Sequence, residues 1–228
     1  AVWKCRHSLS QFPLLHGMKR FFIAPGSIAR GRVTLTGTES HHITNVLRLR
    51  PGEMIELFDG TGAVYAGLLE PGASRGQEVR ILHCRQETPD TAVPSLTLLQ
   101  GMLKGKKMDL IVQKATEMGV HTLQPLLTRF CERRSHAPRQ AERWQRITLA
   151  ACKQCGRNQP MHIAEPVSLQ DVVLPPGTTG VLLWEKETEN PLGPGIPANP
   201  GQLWLMVGPE GGFHQVEIDM AASLGFST

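Results

Sequence analysis

Several features are missing from this sequence of 228 residues, and each absence excludes a class of protein. No run of about 18 apolar residues occurs, which excludes a transmembrane helix. Five cysteines are too few for a disulfide scaffold in a chain of this length, so we expect reduced thiols and a cytoplasmic location. With 40% hydrophobic and 19% charged residues, the composition is that of a globular protein with a sizeable core.

The first 17 residues lack an initiator methionine and the continuous apolar stretch of a signal peptide. We therefore expect residues 1–17 to be a leader or a non-native extension, with the native protein starting at Met18.

Acidic residues are scarce in one part of the chain and basic residues in another. Residues 91–160 hold 12 basic and 4 acidic side chains, which gives a net charge of +8. Residues 161–228 hold 1 basic and 8 acidic side chains, which gives a net charge of −7. The basic block favours an anionic partner, with nucleic acid first. The alternative is a solvated basic face that the acidic third neutralises within the fold.

Residues 18–90 are predicted to form a small β-barrel, because five short strands in about 70 residues favour a barrel over an open sheet. A helix over residues 39–47, with Thr38 as its N-cap, interrupts the strands. His41 and His42 do not suggest a metal site, because adjacent helical residues diverge by about 100° and no second ligand cluster is present. The predicted strands are Arg20–Ala24, Arg32–Leu35, Met54–Asp59, Ala63–Leu69 and Glu78–Gln86.

Residues 94–228 are predicted to form an α/β domain with a parallel sheet, because continuous apolar runs alternate with helical patterns. Gly119, Gly156 and Gly225 follow the helices as C-cap signals. The predicted strands are Leu96–Gln100, Leu123–Thr128, Val181–Trp184 and Leu203–Val207, and the helices are Lys107–Met118, Arg139–Cys155 and Gln215–Leu224.

The helix over residues 139–155 carries a basic stripe opposite an apolar face. At 100° per residue, Arg139, Arg143, Arg146 and Lys153 fall within a sector of about 80°. Such a stripe suits the tracking of phosphates, although an ordinary amphipathic helix also places charges outside. The pair Cys152 and Cys155 lies at the end of the helix on its apolar face, which favours buried structural thiols.

A glycine-rich loop, Gly208–Gly212, lies between a buried strand and a helix start, where exposed backbone amides can hold a small ligand. It matches neither the dinucleotide fingerprint nor the P-loop. A Rossmann-type oxidoreductase is therefore disfavoured.

Several blocks, taken in order, resemble the ribosomal RNA small subunit methyltransferase E family over residues 18–228. The blocks are Arg20–Phe22, His42 with Val46–Arg48, Leu57–Gly60, Met108–Val120, Trp144, Ala150–Asn158 and Val207–Phe213. The resemblance implies methylation of N3 of a uridine in 16S ribosomal RNA of the 30S subunit, with S-adenosylmethionine as methyl donor. It also implies a cytoplasmic homodimer that binds neither metal nor membrane.

The fold class that the resemblance implies is α+β/α/β, with an N-terminal PUA-like β-barrel followed by a SPOUT-type α/β knot. Arg157 and Asn158 are the candidate catalytic residues, with structural C-cap roles as the alternative. The candidate cofactor residues are Leu183, Trp184, Glu185, Val207, Gly208, Pro209, Glu210, Gly211 and Gly212, with loop stabilisation as the favoured role of Glu210. The candidate RNA-binding residues are Arg48, Lys106, Arg133, Arg134, Arg139, Arg143 and Arg146.

One departure from the family pattern concerns the last segment. Family members continue past Thr228 with a segment similar to LGxRxLRxET that threads the knot and closes the cofactor pocket, and it is absent here. The sequence therefore predicts an incomplete knot and weak or no binding of S-adenosylmethionine by this chain. A non-catalytic RNA-binding protein is the competing interpretation.

Overall fold

The computed structural model describes residues 17–72, 76–87, 93–131, 138–188, 196 and 201–228. These residues form two compact units. The first consists of the described residues up to 89 together with Cys152–Gln159, and the second of those in Asp90–Ala151 and Pro160–Thr228. The sequence assigned residues 152–159 to the second domain, whereas here they group with the first. The predicted extension lies outside the described residues, apart from Gly17.

The first unit contains a five-stranded sheet in the order β1-β3-β4-β5-β2. Strand β1 runs parallel to β3, and the other neighbours are antiparallel. The pairings among the described residues leave β1 and β2 at the two edges, so a closed barrel stays a prediction. The strands are β1 (Arg20–Phe22), β2 (Arg32–Leu35), β3 (Met54–Phe58), β4 (Ala63–Leu69) and β5 (Gln77–Gln86).

A short helix, α1 (Gly37–His41), follows β2 and continues as a π-helical turn over His42–Val46. The predicted N-cap, Thr38, is wrong, because Thr36 occupies that position. A threonine at either position suits a helix N-cap, and the path of the chain after β2 places Thr36 there rather than Thr38. The turn ends at Arg48, whose φ of 53° lies in the left-handed region.

The core of the first unit follows from alternation along its strands. Val33 and Leu35 are buried while Arg32 and Thr34 are exposed, as a strand with one solvated face requires. The core residues are Phe21, Ile23, Val33, Leu35, Ile43, Ile55, Leu57, Leu69, Val79 and Ile81.

The second unit is built on a parallel sheet in the order β12-β10-β11-β6-β7-β8, with β9 also pairing with β7. This confirms the predicted parallel α/β arrangement. The strands are β6 (Ser95–Gly101), β7 (Thr122–Leu127), β8 (His162–Ile163), β9 (Val167–Ser168), β10 (Thr178–Leu183), β11 (Gln202–Val207) and β12 (Phe226–Ser227). The helices are α2 (Lys107–Glu117), α3 (Pro138–Cys155) and α4 (Gln215–Ser223), with a 3-10 turn over Leu169–Asp171.

Two apolar clusters bury this sheet. The first centres on Leu99, Leu182 and Met206 and takes in Phe213 and Ile218 beside α4. The second includes Met108, Val112, Leu123, Trp144 and Met161, so it buries the apolar faces of α2 and α3. The buried side chains of α2, Met108, Val112 and Ala115, recur at the spacing of one helical face.

The register of the sheet brings four strand ends to one level. Leu183 pairs with Val207, Val207 with Gln100 and Gln100 with Pro125. The segments that leave the carboxyl ends of β10, β11, β6 and β7 therefore share one edge. In open parallel sheets, ligands bind at this edge.

The cysteines follow the sequence prediction only in part. Cys131, Cys152 and Cys155 are free thiols, and Cys84 is buried on β5. Cys152 is buried as predicted, but Cys155 is exposed at the end of α3.

None of the helices in the described ranges is long and apolar enough to cross a membrane.

Candidate functional site

The glycine-rich loop is held against the end of β6. The side-chain amide of Gln100 donates to the carbonyl oxygen of Gly208 at 3.1 Å. A Cβ atom on Gly101 would lie 2.6 Å from the ring of Pro209, so the two backbones approach closely only because residue 101 is a glycine. The loop position therefore depends on a neighbouring strand.

Glu210 joins this loop to the beginning of α2. Its carboxylate pairs with Nζ of Lys107 at 2.9 Å and accepts from the backbone N–H of Lys104 at 3.3 Å. The hydrogen bond from Lys107, followed by those from the backbone N–H groups of Glu210 and Lys104, lowers the pKa of Glu210 to about 2. These contacts are those of a loop-stabilising residue.

The residues after β10 form a second side of the site. Gly212 has a φ of 69°, and a Cβ atom there would overlap the Oε1 atom of Glu185. Leu183 ends the strand, and Trp184 packs against the apolar cluster around Leu182. The indole nitrogen of Trp184 is buried and has no hydrogen-bond partner in the described part of the protein.

The turn after β7 forms the third side. The backbone N–H of Arg129 donates to Glu217 at 2.7 Å, and the N–H of His214 donates to the same carboxylate at 2.9 Å. Glu217 thus completes the capping box of α4 and ties the turn to it. Phe130 packs on Gly211, where a Cβ atom would come within 3.0 Å of it.

Thr128 stands at the start of this turn. Its side chain is 4% exposed, and its hydroxyl has no partner among the described residues. Buried polar groups are nearly always paired, so an unpaired one at a ligand-binding edge needs an explanation.

The strand ends thus bring together a glycine-rich loop and two buried polar atoms that have no hydrogen-bond partner among the described residues. Pockets for small ligands combine apolar walls with a few polar groups in this way. The residues present fit a nucleoside-type cofactor, which needs apolar contact for its base and hydrogen bonds for its sugar and tail. The candidates Leu183–Glu185 and Val207–Gly212 all lie at this edge of the second unit.

Arg157 and Asn158 lie in the segment that groups with the first unit. Asn158 is 6% exposed; its amide oxygen accepts from Arg20, and its amide nitrogen donates to Glu87. Burial lowers the pKa of the Arg157 guanidinium, although such a group keeps its charge in proteins.

Arg20 holds this segment in place. It pairs with Glu56 at 2.5 Å, donates to the Cys152 carbonyl oxygen at 2.9 Å and stacks 5.0 Å from the centroid of Phe58. In the sequence, Arg20 belongs to one of the blocks that resemble the family, but the sequence does not reveal its partners.

The basic candidates on α3 are exposed as predicted: Arg139, Arg143 and Arg146 all face solvent. Arg143 nevertheless pairs with Asp109 of α2. The helical wheel could not include that carboxylate, because it lies on another element. Arg48 and Lys106 are also exposed, while Arg133 and Arg134 lie outside the described residues.

Sequence reasoning missed three residues of this edge: Thr128, Lys107 and Glu217. Thr128 carried a usable signal, because it directly follows the buried run of a predicted strand, where side chains meet those of neighbouring strand ends. Lys107 and Glu217 carried none, since their partners are remote in sequence.

Metal ligands do not cluster in this part of the chain: the described residues contain no group of three or more histidine, cysteine or acidic side chains that could hold an ion.

Comparison with known proteins decides the family. Residues 90–228 match the RNA methyltransferase domain family, and residues 35–72 match the RNA methyltransferase PUA domain. The ribosomal RNA small subunit methyltransferase E of Synechocystis sp. is 33% identical over 214 residues, which cover 91% of this chain and 69% of that protein. The chain belongs to the ribosomal RNA small subunit methyltransferase E family.

Other known proteins show similar agreement. The ribosomal RNA small subunit methyltransferase E of Aquifex aeolicus is 31% identical over 196 residues, which cover 81% of this chain and 85% of that protein. The crystal structure of the family member from Neisseria gonorrhoeae, bound to S-adenosyl methionine, has 32% identity and a TM-score of 0.81, with 92% of this chain and 87% of that chain covered. A putative methyltransferase from Legionella pneumophila, also in complex with this cofactor, has 28% identity and a TM-score of 0.77, with the same coverage.

Proposed function

We propose that this protein transfers a methyl group from S-adenosylmethionine to N3 of a uridine in 16S ribosomal RNA of the 30S subunit. Its family consists of ribosomal RNA methyltransferases, and the gonococcal relative binds the same cofactor. The observation that carries the proposal is the edge of the parallel sheet, where a glycine-rich loop meets two buried polar groups that have no partner in the described ranges. We further propose a cytoplasmic homodimer.

In this proposal the cofactor lies along the strand ends of the second unit. The loop Val207–Gly212 provides backbone amides, and Leu183, Trp184 and Glu185 line the opposite side. Glu210 acts on the loop rather than on the ligand, because Lys104 and Lys107 already engage its carboxylate.

The reaction needs positioning and charge stabilisation. When bound, S-adenosylmethionine would supply an electrophilic methyl group, whose C–S bond would break as the bond to N3 formed, and the N3 proton would pass to a base or to solvent. Loss of that proton places negative charge on the uracil oxygens, which a nearby cation stabilises. The protein therefore has to hold the base in line with the methyl group.

Arg157 is the cation that we assign to the uracil oxygens. Its partial burial supports this role, because charge interactions strengthen away from water. Asn158 has both ends of its amide engaged by Arg20 and Glu87, which suits a positioning residue that fixes the backbone beside Arg157.

The RNA is proposed to bind the basic residues Arg48, Lys106, Arg133, Arg134, Arg139, Arg143 and Arg146. Such contacts position the substrate through its phosphates without reading its sequence.

The proposed activity is tested with 30S subunits and tritiated S-adenosylmethionine, followed by mass spectrometry of the nucleosides. We expect label in ribosomal RNA as N3-methyluridine. Label at another atom or in another base would refute the assigned position. Binding of 30S subunits and cofactor without transfer would favour a non-catalytic RNA-binding protein.

Two substitutions separate the role of Arg157 from cofactor binding. Arg157→Gln removes the charge and should lower kcat at least tenfold, whereas Arg157→Lys should retain part of it. Both should bind S-adenosylhomocysteine like the unchanged protein. Equal kcat values for all three proteins would exclude a charge role for Arg157.

A further inference from the structure

The segment Cys152–Gln159 is held near both of its ends by carboxylates of the first unit. Near its start, Lys153 pairs with Glu39 of α1, and both side chains are largely buried. Near its end, the side-chain amide nitrogen of Asn158 donates to the carboxylate of Glu87. The residues between these two contacts therefore have little freedom to move, and the cation that we assign to the uracil oxygens is one of them.

Glu87 directly follows β5 and is itself fixed by two contacts. Its carboxylate pairs with the guanidinium of Arg85 at 2.8 Å, and its backbone N–H donates to the carbonyl oxygen of Gly62 at 2.9 Å. Arg85 engages Oε1 of this carboxylate, whereas Asn158 engages Oε2. One carboxylate therefore binds two partners at once and ties the segment to the sheet of the first unit.

The side-chain amide of Asn158 is oriented by the two groups that it contacts. Arg20 can only donate hydrogen bonds, so the amide oxygen has to face it. The Glu87 carboxylate can only accept them, so the amide nitrogen has to face that side. Asn158 is 6% exposed, and loss of either partner would leave one of its polar atoms buried and unpaired. An asparagine held in this way fixes the backbone of its neighbour, Arg157.

The exposure of Glu87 argues against a purely structural role. Its side chain is 45% exposed and that of Arg85 is 34% exposed, and ion pairs at such exposure contribute little to folding stability. The position of a reacting group is a more sensitive quantity, because a displacement of about 1 Å can slow a reaction about a hundredfold. A contact that matters little for stability can therefore matter for the rate.

We propose that Glu87 is a positioning residue for the methyl transfer, which acts through Asn158 to hold Arg157 where its guanidinium meets the uracil oxygens. This inference rests on the proposed function and on the role that it gives to Arg157. Glu87 contacts neither RNA nor cofactor in this proposal. Its removal should therefore lower kcat and leave the affinities for both unchanged.

Glu87→Ala removes both contacts of the carboxylate and should lower kcat about fivefold, with KM for 30S subunits and Kd for S-adenosylhomocysteine unchanged. Glu87→Gln keeps an oxygen that can accept from Asn158, so its kcat should stay within about twofold of the unchanged protein. Glu78→Ala is the matched control, since Glu78 is a partly exposed carboxylate of β5 that pairs with Arg32 instead. Equal kcat values for the two alanine variants, or a raised KM in Glu87→Ala, would overturn the proposal.

A double-mutant cycle tests whether Glu87 acts through Arg157. The protein that combines Arg157→Gln with Glu87→Ala should have the kcat of Arg157→Gln alone to within about twofold. The reason is that a positioning residue has no effect once the charge that it positions is gone. Losses that multiply would show that Glu87 acts by another route and would overturn the proposal.

Hydrogen–deuterium exchange separates this inference from the proposed function, because it requires no methyl transfer. The backbone amides of Cys152–Gln159 should exchange faster in Glu87→Ala than in Glu87→Gln or Glu78→Ala. Equal exchange in the three variants would show that Glu87 does not hold the segment. Absence of methyl transfer by the unchanged protein would refute the proposed function itself, and a difference in exchange would still support Glu87 as the residue that fixes this segment.

Discussion

Arg20 joins the first strand of the first unit to the segment Cys152–Gln159. One guanidinium meets the carboxylate of Glu56, the amide oxygen of Asn158 and the carbonyl oxygen of Cys152. Glu56 is itself buried, so it relies on Arg20 to balance its charge. At the scale of single residues, this is the set of contacts on which the position of Arg157 depends.

Replacing Arg20 with methionine should lower the free energy of unfolding by about 3–5 kcal/mol, because Glu56 would keep an uncompensated buried charge. Urea denaturation followed by circular dichroism measures the change. Arg32→Met is the matched control, since Arg32 pairs with Glu70 on the exposed face of the same sheet and should matter far less. Similar losses for both variants would contradict a special role for Arg20.

Glu210 predicts a dependence on pH. Its pKa is lowered to about 2 from an ordinary value of 4.5, so its stabilising interactions with Lys107 and Lys104 are fully present above about pH 4.5 and disappear as the pH falls toward 2. Glu210→Gln should remove this part of the acid sensitivity and weaken binding of S-adenosylhomocysteine at neutral pH.

Glu117→Gln serves as the control for Glu210. The pKa of Glu117 is lowered by hydrogen bonds from Lys114 and then Gln113, on an exposed face of α2. This variant should share the effect on acid sensitivity but retain cofactor affinity. If both variants bind the cofactor equally well, Glu210 does not position the loop.

At the scale of elements, the glycine-rich loop and the helix α3 carry the two binding functions that we propose. The loop is shaped by its neighbours at β6, β7 and β10 rather than by its own residues alone. The helix, in contrast, presents its basic side chains by periodicity. We therefore expect the glycine-rich loop to tolerate substitution less well than the helix α3.

Gly212→Ala should weaken cofactor binding, because the new methyl group would overlap Glu185. Gly177→Ala is the matched control: Gly177 has a similar φ of 78°, but no atom lies within 4 Å of the added carbon. Both should lose about 1 kcal/mol of stability from the left-handed backbone, measured by thermal denaturation. Titration with S-adenosylhomocysteine should distinguish them, and equal affinities would place the cofactor elsewhere.

Reversing the charges of Arg139, Arg143 and Arg146 to glutamate should weaken binding of 16S ribosomal RNA. For every phosphate that the protein no longer neutralises, the slope of log affinity against log salt should fall by roughly one. Single variants refine this: Arg139→Glu is compared with Lys114→Glu, an exposed residue of α2 that pairs with Glu117. An unchanged slope in the triple variant would mean that the stripe is not the RNA surface.

At the scale of the whole molecule, the division into units does not follow the order of the chain. The backbone leaves the second unit after Ala151, contributes Cys152–Gln159 to the first and returns at Pro160. Arg157, which we assign to catalysis, and its positioning residue Asn158 therefore lie on a segment whose surroundings come from the N-terminal third of the protein. Domain boundaries predicted from composition alone place this segment in one domain and the residues that surround it in the other.

The proposed homodimer is tested by light scattering during size-exclusion chromatography. The chain has a mass of 25.1 kDa, so we expect about twice this mass at micromolar concentration. Adding S-adenosylhomocysteine should leave the mass unchanged. A mass of one chain at all accessible concentrations would contradict the dimer.

The sequence by itself determined the elements and the class of the second unit. Apolar runs, helical spacing and glycine C-caps are local properties, and they predicted β6, β7, β10, β11 and the helices α2 to α4 to within about three residues. Strands β8 and β9 escaped prediction, because two residues carry no measurable periodicity.

Only the tertiary structure decided which side chains meet. The pairing of Arg143 with Asp109, the engagement of Asn158 by Arg20 and the unpaired hydroxyl of Thr128 within the described residues all depend on distances between elements. The exposure of Cys155 has the same origin: the helical wheel gives the direction of a side chain but not where the neighbouring surface ends. Periodicity constrains a residue relative to its own element, and packing of the whole chain supplies its partners.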